Sequence, residues 1–493
     1  MLVKLSATNR RDFVKMGALA LATGILPDRI CRPAEPRAGT LSSEIFSDKT
    51  REVGIDFVHF NGMSGEHYFA EMMGSGAALF DYDNDGDLDI FIVQGTMLGP
   101  GKRLADARFP PRGPLPLKGR LYRNDTLVNR DGTRTLKFTD VTEQSGINAS
   151  GYGMGVAAGD FNNDGWVDLY ITNFGSSQLW RNNGDGTFTD VTQISGTENL
   201  SWGVSAAFLD FDRDGWLDLF VANYVNFRFS SLKKCLAPGG APDYCGPLTY
   251  DPLPNRLFRN RGNGTFEDVT VKAQMADEFY GALGVVCADF NGDGWIDLYV
   301  ANDERPNQLW INQRNGTFKN LALMAGCALS KDGIAQSGMG VDAGDFDNDG
   351  DEDLIVTNLM GEYADLYVND GKGWFEDFSS ESGLALATTA YTGFGAGFLD
   401  YDNDGWLDVL IVNGEVRTIE DKARAGDQYP LDQPKLLLHN LGNGRFANVS
   451  SKAGPIFALP EVSRGVAFGD VDNDGDIDVL IVNNNGSRTP PDQ

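Results

Sequence analysis

The stretch DFNNDGWVDL, residues 160–169, sets oxygen-bearing side chains at its first, third and fifth positions, glycine at its sixth and aspartate at its ninth. It then runs directly into DLYITN, an alternating β-branched segment. Near copies recur along the chain: DYDNDGDLD at Asp81, DFDRDGWLD at Asp210, DFNGDGWID at Asp289, DFDNDGDED at Asp345, DYDNDGWLD at Asp400 and DVDNDGDID at Asp470. The seven starts are separated by 79, 50, 79, 56, 55 and 70 residues. A unit of about 55 residues carrying insertions in three places lies in the range of propeller blades.

Each loop offers a set of hard oxygen ligands: side chains at positions 1, 3, 5 and 9 and the backbone carbonyl of position 7. The candidate ligands are Asp81, Asp83, Asp85, Asp87 and Asp89 in the first copy, and Asp160, Asn162, Asp164, Trp166 and Asp168 in the second. They are Asp210, Asp212, Asp214, Trp216 and Asp218 in the third, and Asp289, Asn291, Asp293, Trp295 and Asp297 in the fourth. The fifth supplies Asp345, Asp347, Asp349, Asp351 and Asp353, and the sixth Asp400, Asp402, Asp404, Trp406 and Asp408. Asp470, Asp472, Asp474, Asp476 and Asp478 complete the seventh. Glycine at position 6 suits a turn through positive φ that brings the following carbonyl inward. The first half of the pattern matches an EF-hand loop. The closing acid comes at position 9 instead of 12, and a strand follows instead of a helix. Oxygen ligation without His or Cys favours Ca²⁺ over zinc or copper, and a large flexible loop favours it over Mg²⁺, so about seven Ca²⁺ sites are expected. Plain Asp/Asn/Gly turns that bind nothing are the alternative, but they do not require an aspartate at position 9 in every copy.

The flanks repeat as well. LWRNNGDGTFTDVT follows the second loop, with counterparts LFRNRGNGTFEDVT at Leu257, LWINQRNGTFKNL at Leu309, LYVNDGKGWFEDF at Leu366 and LLHNLGNGRFANV at Leu437. Each unit therefore predicts four short strands: one entering the loop, one leaving it, an L-x-x-N strand and, after a tight glycine turn, an F-x-D-V strand. Seven such units predict an all-β, seven-bladed β-propeller with a calcium-binding loop in each blade; a linear β-solenoid is the alternative. The last unit has two strands, at RGVAFGD and DVLIVNN, before the sequence ends. IFSDKTREVGI at Ile45 matches FTDVTEQSGI, so the N-terminal segment is expected to supply the outermost strand of the last blade and to leave the third strand missing.

The chain of 493 residues carries 41 basic and 70 acidic side chains, a formal charge of −29, which argues against nucleic acid or an anionic membrane as its partner. Arg10 and Arg11 precede an apolar run from Met16 to Leu26 that is too short to span a bilayer. That order of blocks resembles a twin-arginine export signal, with cleavage expected between Pro27 and Thr40. The expected organisation is a signal peptide over residues 1–39 and a propeller over 40–493. The expected product is a periplasmic or extracellular protein with no membrane span, as a monomer. Cys235 and Cys245 bracket a Pro/Gly-rich loop and could close in a disulfide, while Cys287 reads as a buried, inert thiol.

The loops and their flanks resemble the FG-GAP/VCBS repeat family, which includes the propellers of integrin α subunits, over about residues 45–484. GSGAALFDYDNDGDLD at Gly74, CLAPGGAPDYCGP at Cys235 and the segment from Asn413 to Asn440 are similar to bacterial relatives of the cartilage acidic protein family. The resemblance implies a secreted Ca²⁺-binding propeller. Members usually continue into a C-terminal ASPIC/UnbV domain, and this sequence ends at NNNGSRTPPDQ, so no function of that domain carries over.

In an up-and-down blade successive connections alternate between two faces. The three large insertions, about Thr96 to Lys118, Val225 to Pro254 and Gly414 to Pro434, are all connections between second and third strands. They should gather on the face opposite the acidic loops, where long loops on a rigid scaffold often recognise partners. Catalytic signatures are absent from the sequence: there is no G-x-S-x-G elbow, no phosphate loop and no metal spacing among His59, His67 and His439. Glu66 and Glu71 could form an acid/base set with His59 and His67, though the segment reads better as solvated loop. The position-7 tryptophans suggest sugar stacking or, given their regular placement, packing between blades. The expected function is a binding or adhesion module for an extracellular protein or glycan, not an enzyme. The alternative is an extracellular polysaccharide lyase or hydrolase on the same scaffold.

Overall fold

The computed structural model describes residues 1–5 and 44–486. The twin-arginine motif and the cleavage region lie outside the described residues. Seven four-stranded antiparallel sheets follow one another around a central axis. In the second blade, Gly153–Gly159 enters the acidic loop, Asp168–Asn173 leaves it, and Gln178–Asn182 and Phe188–Asp190 complete the sheet. The alternation predicts this arrangement: strands leaving the loops are buried along their length, as in Asp168–Asn173 and Asp297–Asn302, because each blade is covered on both sides by its neighbours.

Glycine crowds the innermost strands where blades converge. A Cβ on Gly155 would stand 2.6 Å from the Val204 carbonyl of the next blade, and one on Gly465 2.3 Å from the Ser75 carbonyl. No larger residue fits these approaches without moving backbone.

Phe46–Asp48 is the outermost strand of the seventh blade, as its similarity to the F-x-D-V strands predicts. The expected gap beside it is filled. Leu2–Leu5 pairs antiparallel with both Phe46–Asp48 and Asp478–Asn483, so residues read from sequence as the start of the leader form the third strand. The reason is steric and apolar: Leu2 and Val3 are fully buried among Ile90, Val479 and Ile481 of the flanking clusters. The ring closes between the seventh blade and the first through Asn124, whose side-chain amide donates to the Val471 carbonyl at 2.7 Å.

Two features close the opposite end of the axis. Phe69–Met72, a short 3-10 turn before the first blade, is buried against Met154, Leu283, Met339 and Phe394, which come from four different blades. This segment plugs the channel. The second insertion covers it: Phe69 stacks on Tyr250 and Tyr224 at 5.5 Å, and Tyr68 meets Phe229 edge-on at 5.0 Å. A disulfide joins Cys235 and Cys245 in that insertion, as expected. Cys327 is buried; Cys287 is partly buried, with its thiol pushed up by desolvation. Among the described residues no helix is long and apolar enough to cross a membrane.

Candidate metal loops and ligand cavity

The acidic loops are pre-shaped by their own hydrogen bonds. In the second, Asp160 accepts the backbone N–H groups of Asp164 and Gly165 at 3.1 and 2.8 Å, and Asp164 accepts that of Trp166 at 3.0 Å. The same three bonds hold the loop at Asp345. Position-6 glycines take positive φ as expected, from 83° at Gly294 to 98° at Gly350. The sequence reading missed that position 4 is left-handed too, and that its asparagine links neighbouring loops. Asn84 donates to Gly165 O, Asn163 to Gly215 O and Asn348 to Gly405 O at 2.8, 2.8 and 2.9 Å. The repeated Asn-Asp-Gly triplet was the available signal.

The position-9 aspartates are fully buried fasteners as well as candidate ligands. Asp168 accepts Phe161 N and Asn182 N at 3.1 and 2.7 Å, and Asn182 in turn donates its side-chain amide to the Tyr82 carbonyl of the preceding blade at 2.7 Å. The L-x-x-N asparagine is therefore an inter-blade latch, repeated at Asn260, Asn312, Asn369 and Asn440. Burial pushes the carboxyls of Asp89, Asp168, Asp218 and Asp353 up to about 8, with nearby acids acting the same way.

Acidic oxygens come together as the spacing predicts: Asp81, Asp83 and Asp85; Asp210, Asp212 and Asp218; Asp345, Asp347 and Asp353; Asp400, Asp402 and Asp404 each bring ligand atoms within 4.8 Å of one another. At position 3, one buried oxygen of Asp83, Asp212, Asp347 and Asp472 has no hydrogen-bond partner within the protein. An oxygen-only set with an unspent carboxylate atom fits a hard cation. Protein cations reach some loops directly. Arg259 contacts Asp212 and Asp214 at 2.5 and 3.1 Å, Arg314 contacts Asp293 at 2.7 Å, and Lys4 lies on Asp472 and 3.1 Å from Asp474. His439 lies 3.0 Å from Asp408, a nitrogen donor that the loop pattern alone does not include.

Three of the four position-7 tryptophans pack within their own blades, where packing between blades was expected. A Cβ on Gly184 would meet the Trp166 indole at 2.6 Å, and Gly262 and Gly442 approach Trp216 and Trp406 in the same way at 2.9 Å. Each of these three indoles lies over the glycine turn between third and fourth strands, which only glycine leaves bare. Trp295, whose blade has Arg314 where the others have that glycine, instead meets a cation of the preceding blade, Arg213 at 5.4 Å.

On the other face the three insertions meet as the topology predicts. Phe109 of the first stacks on Tyr429 of the third at 5.7 Å, and Asp243 of the second accepts the Thr418 hydroxyl and backbone N–H of the third at 3.2 Å. A cavity of about 390 Å³ lies between them and the plug. Glu71 and His59, read from sequence as solvated, are buried here at 0% and 2% exposure, because the apolar neighbours Phe69, Ala70, Met72 and Met73 carry the segment into the channel. Glu71 accepts the Tyr244 hydroxyl at 2.8 Å, and burial pushes its carboxyl up to about 7. Desolvation lowers His59 to about 3, so its imidazole is neutral. Glu66 is exposed and paired with Lys102 at 2.9 Å, while His67 meets Tyr244 edge-on. The four residues do not form one acid/base set.

The described geometry agrees with the similarities of the chain. The FG-GAP-like repeat matches residues 160–221, 240–300, 289–356, 345–411 and 431–481. Cartilage acidic protein 1 of Xenopus tropicalis is 31% identical over 167 residues, which are 33% of this chain and 25% of that protein. The Homo sapiens protein of the same name is 30% identical over 171 residues, with the same shares. The aligned region thus spans about a quarter of the length of these relatives. Among solved structures, an Agrocybe aegerita lectin recognising non-reducing terminal N-acetylglucosamine aligns over 84% of this chain and 86% of its own, with 15% identity and a TM-score of 0.39. With the repeat matched over more than half its length, the same acidic loop in all seven blades and the asparagine latch in six of them, the chain belongs to the FG-GAP-like repeat family.

Proposed function

We propose that the protein is an exported, monomeric, calcium-binding β-propeller that serves as a binding or adhesion module for an extracellular protein or glycan. The observation that carries this reading is the convergence of three insertions, from the first, third and sixth blades, on one cavity opposite the acidic loops. Calcium would be held at loop positions 1, 3, 5 and 9 together with the position-7 carbonyl. Bound there, it supplies positive charge that keeps clustered carboxylates ionised. The chain's own part is to fix the loop through its N–H groups and to tie five of the seven loops to the next through the position-4 asparagine. Those ties make the ring a rigid base for the insertion face. Export by the twin-arginine route to the periplasm or beyond belongs to the same proposal.

One observation favours catalysis instead. Glu71, half-ionised near neutral pH and touching the Tyr244 hydroxyl, is a pair able to hold and pass a proton. A lyase or hydrolase acting on polysaccharide would use it. The deciding experiment incubates the Ca²⁺-loaded protein with a polysaccharide panel and, in parallel, with immobilised glycans and surface proteins. Retention without change in polymer length is expected; shortening of any polymer, abolished in Glu71→Gln, would overturn the binding-module reading.

A further inference from the structure

The cavity on the insertion face contains buried polar atoms with nothing to bond. His59 and Asn484 face each other at its wall, close enough for the Asn484 side chain to favour the charged imidazole, yet neither ring nitrogen of His59 nor Asn484 Oδ1 completes a well-formed hydrogen bond, and Oε1 of Glu461 has none either. Buried polar groups are almost always paired, so unspent ones at a cavity wall mark where a ligand or ordered water bonds. A neutral imidazole presents one donor and one acceptor on opposite sides of its ring. Two adjacent hydroxyls, one accepting and one donating, match it.

Full charges on the floor are already committed. The Arg464 guanidinium donates to the carbonyls of Met72, Gly414, Ser463 and Glu415 and lies 3.7 Å over the Phe394 ring. Glu461 holds Lys435 at 2.6 Å, both out of solvent. Glu71 holds Tyr244. An anion would meet Glu71 and Glu461, a cation would meet Glu461 only with its charge already balanced by Lys435, and an apolar ligand would leave His59 and Asn484 unpaired. Above the floor, the stacked Phe109 and Tyr429 present an aromatic wall, as exposed C–H faces require.

We propose that this cavity binds a neutral sugar residue, its hydroxyls bonded to His59 and Asn484 and its C–H face against Phe109 and Tyr429. The assignment rests on the binding-module reading and names the ligand class for that site. Arg108 and Arg112 stand at the rim, so acidic sugars are the natural competitor and belong in the test.

The test titrates the full chain, loaded with Ca²⁺, with free neutral mono- and disaccharides, uronic-acid oligosaccharides and short peptides, and measures retention on immobilised neutral glycans. Neutral saccharides should bind, with a loss of tenfold or more in both His59→Leu and Phe109→Ala. Phe109 is on the rim, so its variant keeps the inference testable should the His59 variant fail to fold. Competition of free monosaccharide against immobilised glycan separates a free sugar from the terminal residue of a longer chain as the source. Binding confined to uronic acids or peptides, yet lost in Phe109→Ala, would overturn the sugar class and leave the binding module standing. Neutral binding unchanged in both variants would place the site elsewhere and overturn the inference. Absence of binding to every probe and surface would overturn both readings.

Discussion

Asn163 and Glu71 lie on opposite faces of the ring and answer to different constraints. Asn163 belongs to a loop repeated seven times, and its amide reaches the Gly215 carbonyl of a loop built the same way. Glu71 occurs in a segment with no counterpart in any blade, and its neighbours come from the plug and the second insertion. On the loop face each residue must satisfy the next copy, so its identity is set by ring geometry. On the insertion face each contact is made once, so residues there are free to specify a ligand. The difference predicts that perturbing the loop face changes stability throughout the ring, while perturbing the insertion face changes binding and alters melting only through the burial and charge of the one residue changed.

Removal of metal should give the largest effect. Without a cation the loop carboxylates crowd together, and each occupied site at one hundred times its Kd adds about 2.7 kcal/mol to stability. EGTA is expected to lower the melting temperature strongly, and Ca²⁺ to restore it better than equal Mg²⁺. Asp210→Ala removes one site of several and should cost less than full chelation. Arg259, on the third strand of the same blade, already meets two of that loop's carboxylates. An unchanged melting curve after verified metal removal would break the division of labour between faces.

Glu71 tests the other face through pH. Its folded carboxyl keeps a proton up to about pH 7, whereas the ordinary value is 4.5. Between those values the folded state binds the extra proton, so stability falls as pH rises through this window and levels off above it. The whole change is about 3 kcal/mol at most. Glu71→Gln keeps the acceptor for Tyr244 and cannot ionise. In Ca²⁺-saturated buffer it should lose this decline, and be more stable than the parent at pH 8 but not at pH 5. Parallel melting curves for parent and variant at both pH values would show that Glu71 ionises without cost in the folded state.

The same division explains what the sequence disclosed. Seven copies of one loop made the fold, blade number and candidate metal residues legible, because local chemistry and global symmetry repeat together. The disulfide followed from the Pro/Gly-rich loop that its cysteines bracket, and the meeting of the insertions from the alternation of connections between the two faces. Burial of His59 and Glu71 was not legible: polar residues in an unrepeated segment look solvated until Phe69 and Met72 are seen to occupy the axis. Nor was the direction of the tryptophans, since regular spacing is equally compatible with packing inside a blade or between blades; Gly184, Gly262 and Gly442 decide it. The role of the L-x-x-N asparagine was visible as a repeat but not as a bond to the preceding blade.

The seventh blade sharpens the comparison at smallest cost, because it has the loop but not the latch. Register pairs Val3 with Val479 as Trp180 pairs with Leu169, which puts Leu5 where every other blade has its asparagine. Leucine has no side-chain amide with which to form a latch; separately, Asp478 Oδ1, whose counterpart in the regular blades accepts the asparagine's backbone N–H, is buried without a hydrogen-bond partner. In a regular blade the latch is costly to lose: Asn312→Ala removes amide bonds to Phe211 O and Ile296 O at 2.7 and 3.2 Å and should destabilise by about 2 kcal/mol. Leu5→Asn is the reverse experiment. It supplies the missing donor and should raise stability by about 1 kcal/mol, read as a small rise in melting temperature. The gain requires that residues 1–5 remain in place, whereas export with cleavage between Pro27 and Thr40 would remove them. Intact mass of the protein recovered from the periplasm, measured beside the same variant purified from cytoplasm, separates the two cases. A gain in the cytoplasmic form and none in the shortened form would show that the third strand is held by Leu2–Leu5 only until cleavage; no gain in either would mean that the latch, unlike the acidic loop, is not needed to close the ring.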